Sequence, residues 1–161
     1  MPQNHAAQSH VIAQRTEMLR ARCRERGLAF TQQRLAVLEA VVRSSNHPTA
    51  EAVHNALKPR YPSLSRATVY KALDTLAALG VIAKVAPPGI ERVAARYDGH
   101  VGRHHHAVCR RCARVIDIEE DEIRGLRLPH ATGFRVEDYS INFFGACTAC
   151  AGDIPSEGDT P

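Results

Sequence analysis

Apolar positions in the first half of the chain recur at the three- and four-residue spacing of amphipathic helices, and turn residues punctuate the pattern. The pattern predicts a first helix over Val11–Arg26, carrying Arg20, Arg22, Arg24 and Arg26 and stopped by Gly27. A second opens at Thr31 as N-cap and turns Leu35, Val37, Leu38, Val41 and Val42 inward. A third follows Pro48-Thr49, with Ala52, Val53, Ala56 and Leu57 facing inward until Pro59. A fourth starts at Ser65, another good N-cap, and runs through Ala67, Val69, Tyr70, Leu73, Leu76 and Leu79 to Gly80. Two strand-like segments come next, Val81–Val85 and about Arg92–Tyr97, split by the turn Pro87-Pro88-Gly89. Val136–Phe144 alternates enough for a further edge strand. Residues 1–10 and 151–161 are polar and turn-rich and are expected to be disordered.

Short helices followed by a two-stranded ribbon are the layout of a winged helix-turn-helix, whose last helix enters the major groove of DNA. On that helix Arg66, Thr68, Tyr70 and Lys71 are available for base edges and phosphates. Val69, Leu73 and Leu76 mark the buried side, which leaves Arg66, Tyr70 and Lys71 the better placed. The pattern alone also permits a plain helical bundle whose tyrosine packs internally. Charge tilts the balance toward DNA. Residues 1–86 hold 12 Lys/Arg against 5 Asp/Glu, and residues 87–161 hold 9 against 12. A basic first half suited to a polyanion is thus joined to an acidic second half, although a merely solvated basic surface would read the same way.

At 161 residues and 44% hydrophobic, the chain can bury one ordinary core or two small ones. No apolar run reaches the length of a membrane span and the first residues lack the layout of a signal peptide, so the chain is expected to be cytoplasmic. In a reducing compartment, four cysteines in two Cys-x-x-Cys pairs, Cys109/Cys112 and Cys147/Cys150, favour metal over disulfides. A thioredoxin-like motif would need one such pair in a βαβ pattern that is absent. Four thiolates close a tetrahedral shell around one zinc ion and leave no position for a substrate. Two independent disulfides are the alternative. The fifth cysteine, Cys23, stands alone and reads as a small buried residue.

Beside the first pair stand Asp98, His100, His104, His105, His106 and Asp117, nitrogen and oxygen donors suited to a second, harder metal. On a strand, His104 and His106 project from one face and His105 from the other. His105, His100 and His130 are therefore read as surface or supporting residues, and His5, His10 and His54 have no evident partners. A zinc hydrolase or deaminase would need an open zinc with a nearby glutamate, and the sulfur site is sealed. A zinc-stapled interaction module with no DNA role remains a second class of reading, to be told apart by salt-sensitive DNA binding.

The motifs Thr31-Gln-Gln-Arg34, His47-Pro-Thr49, Ser65-Arg-Ala-Thr-Val-Tyr-Lys71, Arg96-Tyr-Asp98, His104-His-His106 and Phe144-Gly145 resemble the ferric uptake regulator (Fur) superfamily, as do the two Cys-x-x-Cys pairs. The resemblance runs from about residue 15 to residue 150. It implies an α+β protein: an N-terminal winged-helix DNA-binding domain over 11–86, a wing and hinge over 87–97, and a small α/β dimerisation domain with structural zinc over 98–150. It further implies a homodimeric repressor that binds palindromic operators when loaded with metal, and not an enzyme. The chain is most like the peroxide-sensing (PerR) branch, which holds Fe(II) or Mn(II) with three histidines and two aspartates. Those ligands fall on His47, Asp98, His104, His106 and Asp117, and Asp117 matters most because iron-sensing relatives usually carry glutamate there. A further histidine used by the iron- and zinc-sensing branches is matched by Tyr139, and the glycine usual after the first Cys-x-x-Cys is Ala113. The resemblance implies that peroxide reacting at bound iron oxidises His47 or His104 and so releases DNA. An iron- or zinc-responsive repressor of metal uptake is the alternative within the family. A metal held by His47 from the first half and four ligands from the second would fix the halves across the hinge.

Overall fold

The structure, a computed structural model, describes residues 5–85, 94–100, 102–123, 125, 137 and 139–152. The chain divides into two compact units, Met1–Val101 and Gly102–Pro161. The predicted Pro87-Pro88-Gly89 hinge lies outside the described residues, as does His130. The boundary between units falls at residue 101, so Asp98 belongs to the first unit and not to the second as read from the sequence. The reason is strand pairing: the segment ending at Asp98 is the second strand of the wing.

The first unit holds α1 (His5–Glu25), α2 (Gln32–Arg43), α3 (Ala50–Leu57), α4 (Arg66–Ala78), β1 (Ala83–Val85) and β2 (Arg96–Asp98). Three of these helices start where a side-chain oxygen takes an orphan backbone N–H. Thr31 accepts from the Arg34 N–H at 3.3 Å, Thr49 from Ala52 at 3.2 Å and Ser65 from Thr68 at 3.1 Å. Each cap stabilises its helix by about 1 kcal/mol. Gly80, at φ +66°, closes α4, with the Val81 N–H bonded to the Leu76 carbonyl at 3.0 Å. That left-handed position is cheap only for glycine. α1 starts at His5, six residues before Val11, so part of the N-terminus expected to be disordered continues the helix. Its arginine-rich sequence gave no apolar start signal to place that end. β1 and β2 pair antiparallel, Ala83 opposite Asp98 and Val85 opposite Arg96.

The core of this unit is Leu19, Cys23, Val37, Leu38, Val41, Val53, Val69, Leu73, Leu76, Val81 and Tyr97, drawn from every helix and both ends of the ribbon. Cys23 is 1% exposed and His54, predicted to lack a partner, is buried. The His54 Nε2–H donates to the Leu64 carbonyl at 3.0 Å, tying α3 to the residue just before the N-cap of α4. Tyr70 is 50% exposed, so the internal-tyrosine bundle is set aside.

The second unit holds β3 (His104–Cys109), β4 (Val115–Glu119), a 3-10 turn (Glu120–Ile123), β5 (Asn142–Gly145) and α5 (Thr148–Ala151). Its sheet has the order β4-β3-β5, β4 antiparallel and β5 parallel to the central strand. β5 is an edge strand that begins at Asn142, and Val136, where the pattern would open it, lies outside the described residues. Among the described residues its buried apolar side chains are few, Val108, Cys109 and Val115. The β3–β4 turn carries the first Cys-x-x-Cys, closed by hydrogen bonds from the Ala113 N–H to the Cys109 carbonyl (2.8 Å) and from the Cys109 N–H to the Arg114 carbonyl (2.9 Å). Ala113 sits at φ +56°, where an L side chain costs roughly 1 kcal/mol or more. Ala113→Gly is therefore expected to stabilise the zinc-loaded protein by about 1 kcal/mol. Urea unfolding checks this: the midpoint should rise with the slope unchanged.

Candidate metal centres

Cys109 ends β3, Cys112 lies in the turn, Cys147 precedes α5 and Cys150 lies within it. Their sulfurs all lie within 4.8 Å of one another, and those of Cys112 and Cys147 are 3.7 Å apart. Two sulfurs each about 2.3 Å from a tetrahedral ion stand about 3.8 Å apart, whereas a disulfide needs about 2.05 Å. The geometry and the soft donor set fit zinc. The backbone prepares the cluster unequally. N–H groups of Cys147, Cys112 and Arg111 converge on the Cys109 sulfur and lower its pKa to about 6. The neighbouring Cys112 and Cys147 sulfurs push Cys150 up to about 12. Four thiolates this close repel, and a divalent ion is what allows all to ionise together.

The nitrogen and oxygen donors lie in both units. In the first, His47 occupies the α2–α3 loop at φ +44°, a region few non-glycine residues adopt. Such strain persists where surroundings over-determine it, and here they do. The Arg96 guanidinium donates to the His47 carbonyl at 3.0 Å and to the Asn46 carbonyl at 3.4 Å. The Tyr97 N–H donates to the Pro48 carbonyl at 3.0 Å, and Thr49 forms a β-bridge with Arg96. This clamp sets β2 against the loop and brings Asp98 Oδ2 to 3.7 Å from His47 Nε2, with both residues 5% exposed. The other carboxylate oxygen accepts the His100 N–H at 2.7 Å. Gly99 completes the fit, because a Cβ there would stand 2.9 Å from Val42 Cα. The sequence placed Arg96 in a family motif but gave it no role, since its function is carried by carbonyls that no side-chain pattern reveals.

In the second unit His104 and His106 share a face of β3, and register places Asp117 opposite His106. Asp117 Oδ1 lies 3.6 Å from His104 Nε2 and 3.9 Å from His106 Nε2, and the two nitrogens are 3.1 Å apart. Donors about 2.1 Å from an ion stand about 3 Å apart at right angles and about 4.2 Å apart when opposite; the two nitrogens match the first spacing and the carboxylate oxygen lies between the two, so all three are within reach of one ion. His104 Nδ1–H donates to the Gly102 carbonyl at 2.8 Å, which turns the Nε2 lone pair toward that face. Imidazole and carboxylate donors fit Fe(II) or Mn(II).

Of the two places the sequence left open to His105, surface or supporting, the surface is excluded. The residue is fully buried on the other face of β3, at 0% exposure. Its Nδ1 accepts the Ile141 N–H at 3.3 Å, so Nε2 carries the proton and donates to Glu120 at 3.0 Å. Tyr139 donates its hydroxyl to the other Glu120 oxygen and stacks on the imidazole at 5.5 Å, while Arg103 lies 4.8 Å over the tyrosine ring. The Tyr139 hydroxyl first, then His105, holds the Glu120 carboxyl below its usual range. Tyr139, at the place of the family's further histidine, is thus occupied in this network.

On α4, Arg66, Tyr70 and Lys71 face outward while Val69, Leu73 and Leu76 are buried. Thr68 is half-buried, its hydroxyl 2.8 Å from Ser65 Oγ in the helix cap. A groove of about 410 Å³ between the start of α2 and α4 is lined by Thr31, Gln33, Arg34, Thr68 and Lys71.

Chelating the zinc, or Cys112→Ser, is expected to unfold the second unit and leave the helices of the first, whose core contains no ligand cysteine. Far-UV circular dichroism should lose little helix signal. Cys109 is already a thiolate above its pKa of about 6, so zinc displaces no proton from it at neutral pH. As the pH falls through that value the proton competes, and the pH slope of the zinc affinity should steepen by about one proton, read by chelator competition.

The sequence profile of the ferric uptake regulator family matches residues 25–144. The peroxide operon regulator of Bacillus subtilis is 32% identical over 146 residues, covering 89% of this chain and 95% of its own. The peroxide-responsive repressor PerR of Staphylococcus saprophyticus is 32% identical over 130 residues, covering 79% and 85%. The ferric uptake regulator Fur of Helicobacter pylori shares the fold with a TM-score of 0.69 at 21% identity, covering 86% of this chain and 93% of its own. No described helix is long and apolar enough to cross a membrane. With its two donor sets and these relatives, the chain belongs to the ferric uptake regulator family of metal-responsive regulators.

Proposed function

We propose that this chain is a cytoplasmic, homodimeric, metal-dependent transcriptional repressor that binds operator DNA and senses peroxide. The observation that carries the reading is the trio His104, His106 and Asp117, nitrogen and carboxylate donors 3.1–3.9 Å apart with an aspartate as the oxygen ligand. The names of the Bacillus and Staphylococcus relatives, both peroxide regulators, support it. In this reading His47 and Asp98 join the trio as ligands of one Fe(II) or Mn(II), and occupancy fixes the winged helix relative to the dimerisation domain. Fe(II), when bound, would lend the electron that cleaves peroxide and recover one from the oxidised ring, so that peroxide is the two-electron oxidant and the iron undergoes no net change. His47 or His104 then gains one oxygen atom from hydrogen peroxide, the other leaving as water, and the altered imidazole no longer serves as a ligand. The protein is consumed by its signal and does not turn over.

DNA would be met by Arg66, Tyr70 and Lys71 in the major groove, with Thr68 contributing from the cap. The groove bearing Arg34 and Lys71 suits the phosphate backbone. Arg66 must leave Glu51, 3.4 Å away, but both are exposed and such pairs are weak.

Two measurements test the reading. Lys71→Ala should weaken binding to all sequences alike and reduce the slope of log affinity against log salt by about one; an unchanged slope removes Lys71 from the interface. The second loads zinc-bound protein anaerobically with Fe(II), adds stoichiometric peroxide and compares peptide masses with a Mn(II) sample. One added oxygen confined to His47 or His104 peptides, and only with iron, is the expected outcome. Unmodified histidines in protein that holds iron at this site would turn the reading to an iron- or zinc-responsive repressor.

A further inference from the structure

His47 stands immediately before Pro48, and a proline ring drives the residue ahead of it toward extended backbone with φ of about −120°. His47 instead has φ +44°. On that side the Cβ crowds the following carbonyl oxygen, so a local preference overridden this far needs a tertiary cause.

The cause stands on β2. Arg96 and Asp98 are two residues apart on a strand and so share a face, and both address His47. Arg96 Nη1 donates to the His47 carbonyl at 3.0 Å and to the Asn46 carbonyl at 3.4 Å, while Asp98 Oδ2 lies 3.7 Å from the His47 Nε2. Between them the Tyr97 N–H donates to the Pro48 carbonyl at 3.0 Å, and the Tyr97 side chain is buried in the core. Three successive residues thus hold the main chain on both sides of His47 and face its ring. In an extended chain neighbouring carbonyls point to opposite sides, so one guanidinium nitrogen reaches both only because the chain turns at His47. Arg96 loses hydration in this place, since its Nε is buried with no hydrogen-bond partner among the described residues. Hydrogen bonds from a charged donor are roughly twice as strong as neutral ones, which suits a contact that holds a disfavoured residue.

We propose that Arg96 is the positioning residue of His47: by gripping two main-chain carbonyls it keeps the residue left-handed with its imidazole against Asp98, and so admits His47 to the regulatory ion. The link to the ion rests on the reading of His47 and Asp98 as ligands. Without the guanidinium, His47 returns to the extended backbone that its proline favours, and the ring leaves Asp98. The gripping residues are also the second strand of the wing, so both donors are presented only while β2 stays docked on the α2–α3 loop.

The test uses zinc-loaded full-length protein with Arg96→Met, which keeps an unbranched stem and removes every donor, and Arg96→Lys, which keeps a charged donor. NMR scalar couplings that report the sign of φ are read at His47 without regulatory metal. The sign should be positive in the parent and in Arg96→Lys and negative in Arg96→Met. Mn(II) affinity, measured by competition with a chelating dye, should fall about 10- to 100-fold in Arg96→Met and far less in Arg96→Lys. A positive φ in Arg96→Met overturns the positioning. Parental Mn(II) affinity in Arg96→Met, where His47→Ala does weaken binding, overturns the link to the ion. Mn(II) binding that His47→Ala leaves unchanged would instead sink the reading of His47 as a ligand, while the couplings judge the grip of Arg96 by themselves. Loss of the helix signal in both Arg96 variants would make Arg96 a folding residue and overturn the proposal.

Discussion

Strand β3 serves two chemistries because a strand alternates its faces and separates its ends. His104 and His106 leave one face near its start, and Cys109 enters the sulfur cluster at its finish. Three residue steps from His106 and five from His104, about 10 and 17 Å, keep the nitrogen donors apart from Cys109. Everything else in the second unit holds this strand in place. β4 brings Asp117 opposite His106, β5 locks the other edge, and His105 on the back ties the start of β5 to the turn after β4. With so few buried apolar side chains described in this unit, ordinary burial cannot supply the stability of a larger core. A four-thiolate zinc site, worth on the order of 10 kcal/mol, can.

The first unit reaches a donor pair by a different route, through backbone bonds. Arg96 holds the carbonyls of the α2–α3 loop, β2 bridges to Thr49, and the loop accepts a left-handed histidine in return. Asp98 and His47 are both buried, so their relative position is set by a rigid clamp and not by solvent-facing side chains free to rearrange. A donor pair built this way is pre-organised, which would lower the ordering cost of taking up an ion.

Much of this was legible in the sequence because it rests on local rules. The caps at Thr31, Thr49 and Ser65, the stop at Gly80 and the buried stripe of α4 follow from helix periodicity and terminal hydrogen bonding, which neighbours in the chain determine. Each half of the sulfur cluster was legible for the same reason, since Cys-x-x-Cys spacing is itself a local geometry, and the joining of the halves followed from the four thiolates one zinc ion takes. Alternation also separated His105 from His104 and His106.

What the sequence could not show was where non-ligand polar groups find their partners. His105 and Glu120 lie fifteen residues apart, His54 and Leu64 ten, and Arg96 and His47 forty-nine. Each pairing exists only once strands and helices have packed, so the sequence left His105 as either a surface or a supporting residue and His54 as unpartnered. The same holds for Asp98, which its motif placed with the metal domain and β-pairing placed in the wing. The sequence alone determined which residue types could bind metal and which helix faces could meet DNA, because composition and period are properties of the chain. Only tertiary structure decided which polar groups are buried, what satisfies them and which tautomer they adopt, because burial and hydrogen bonding are properties of the packed molecule.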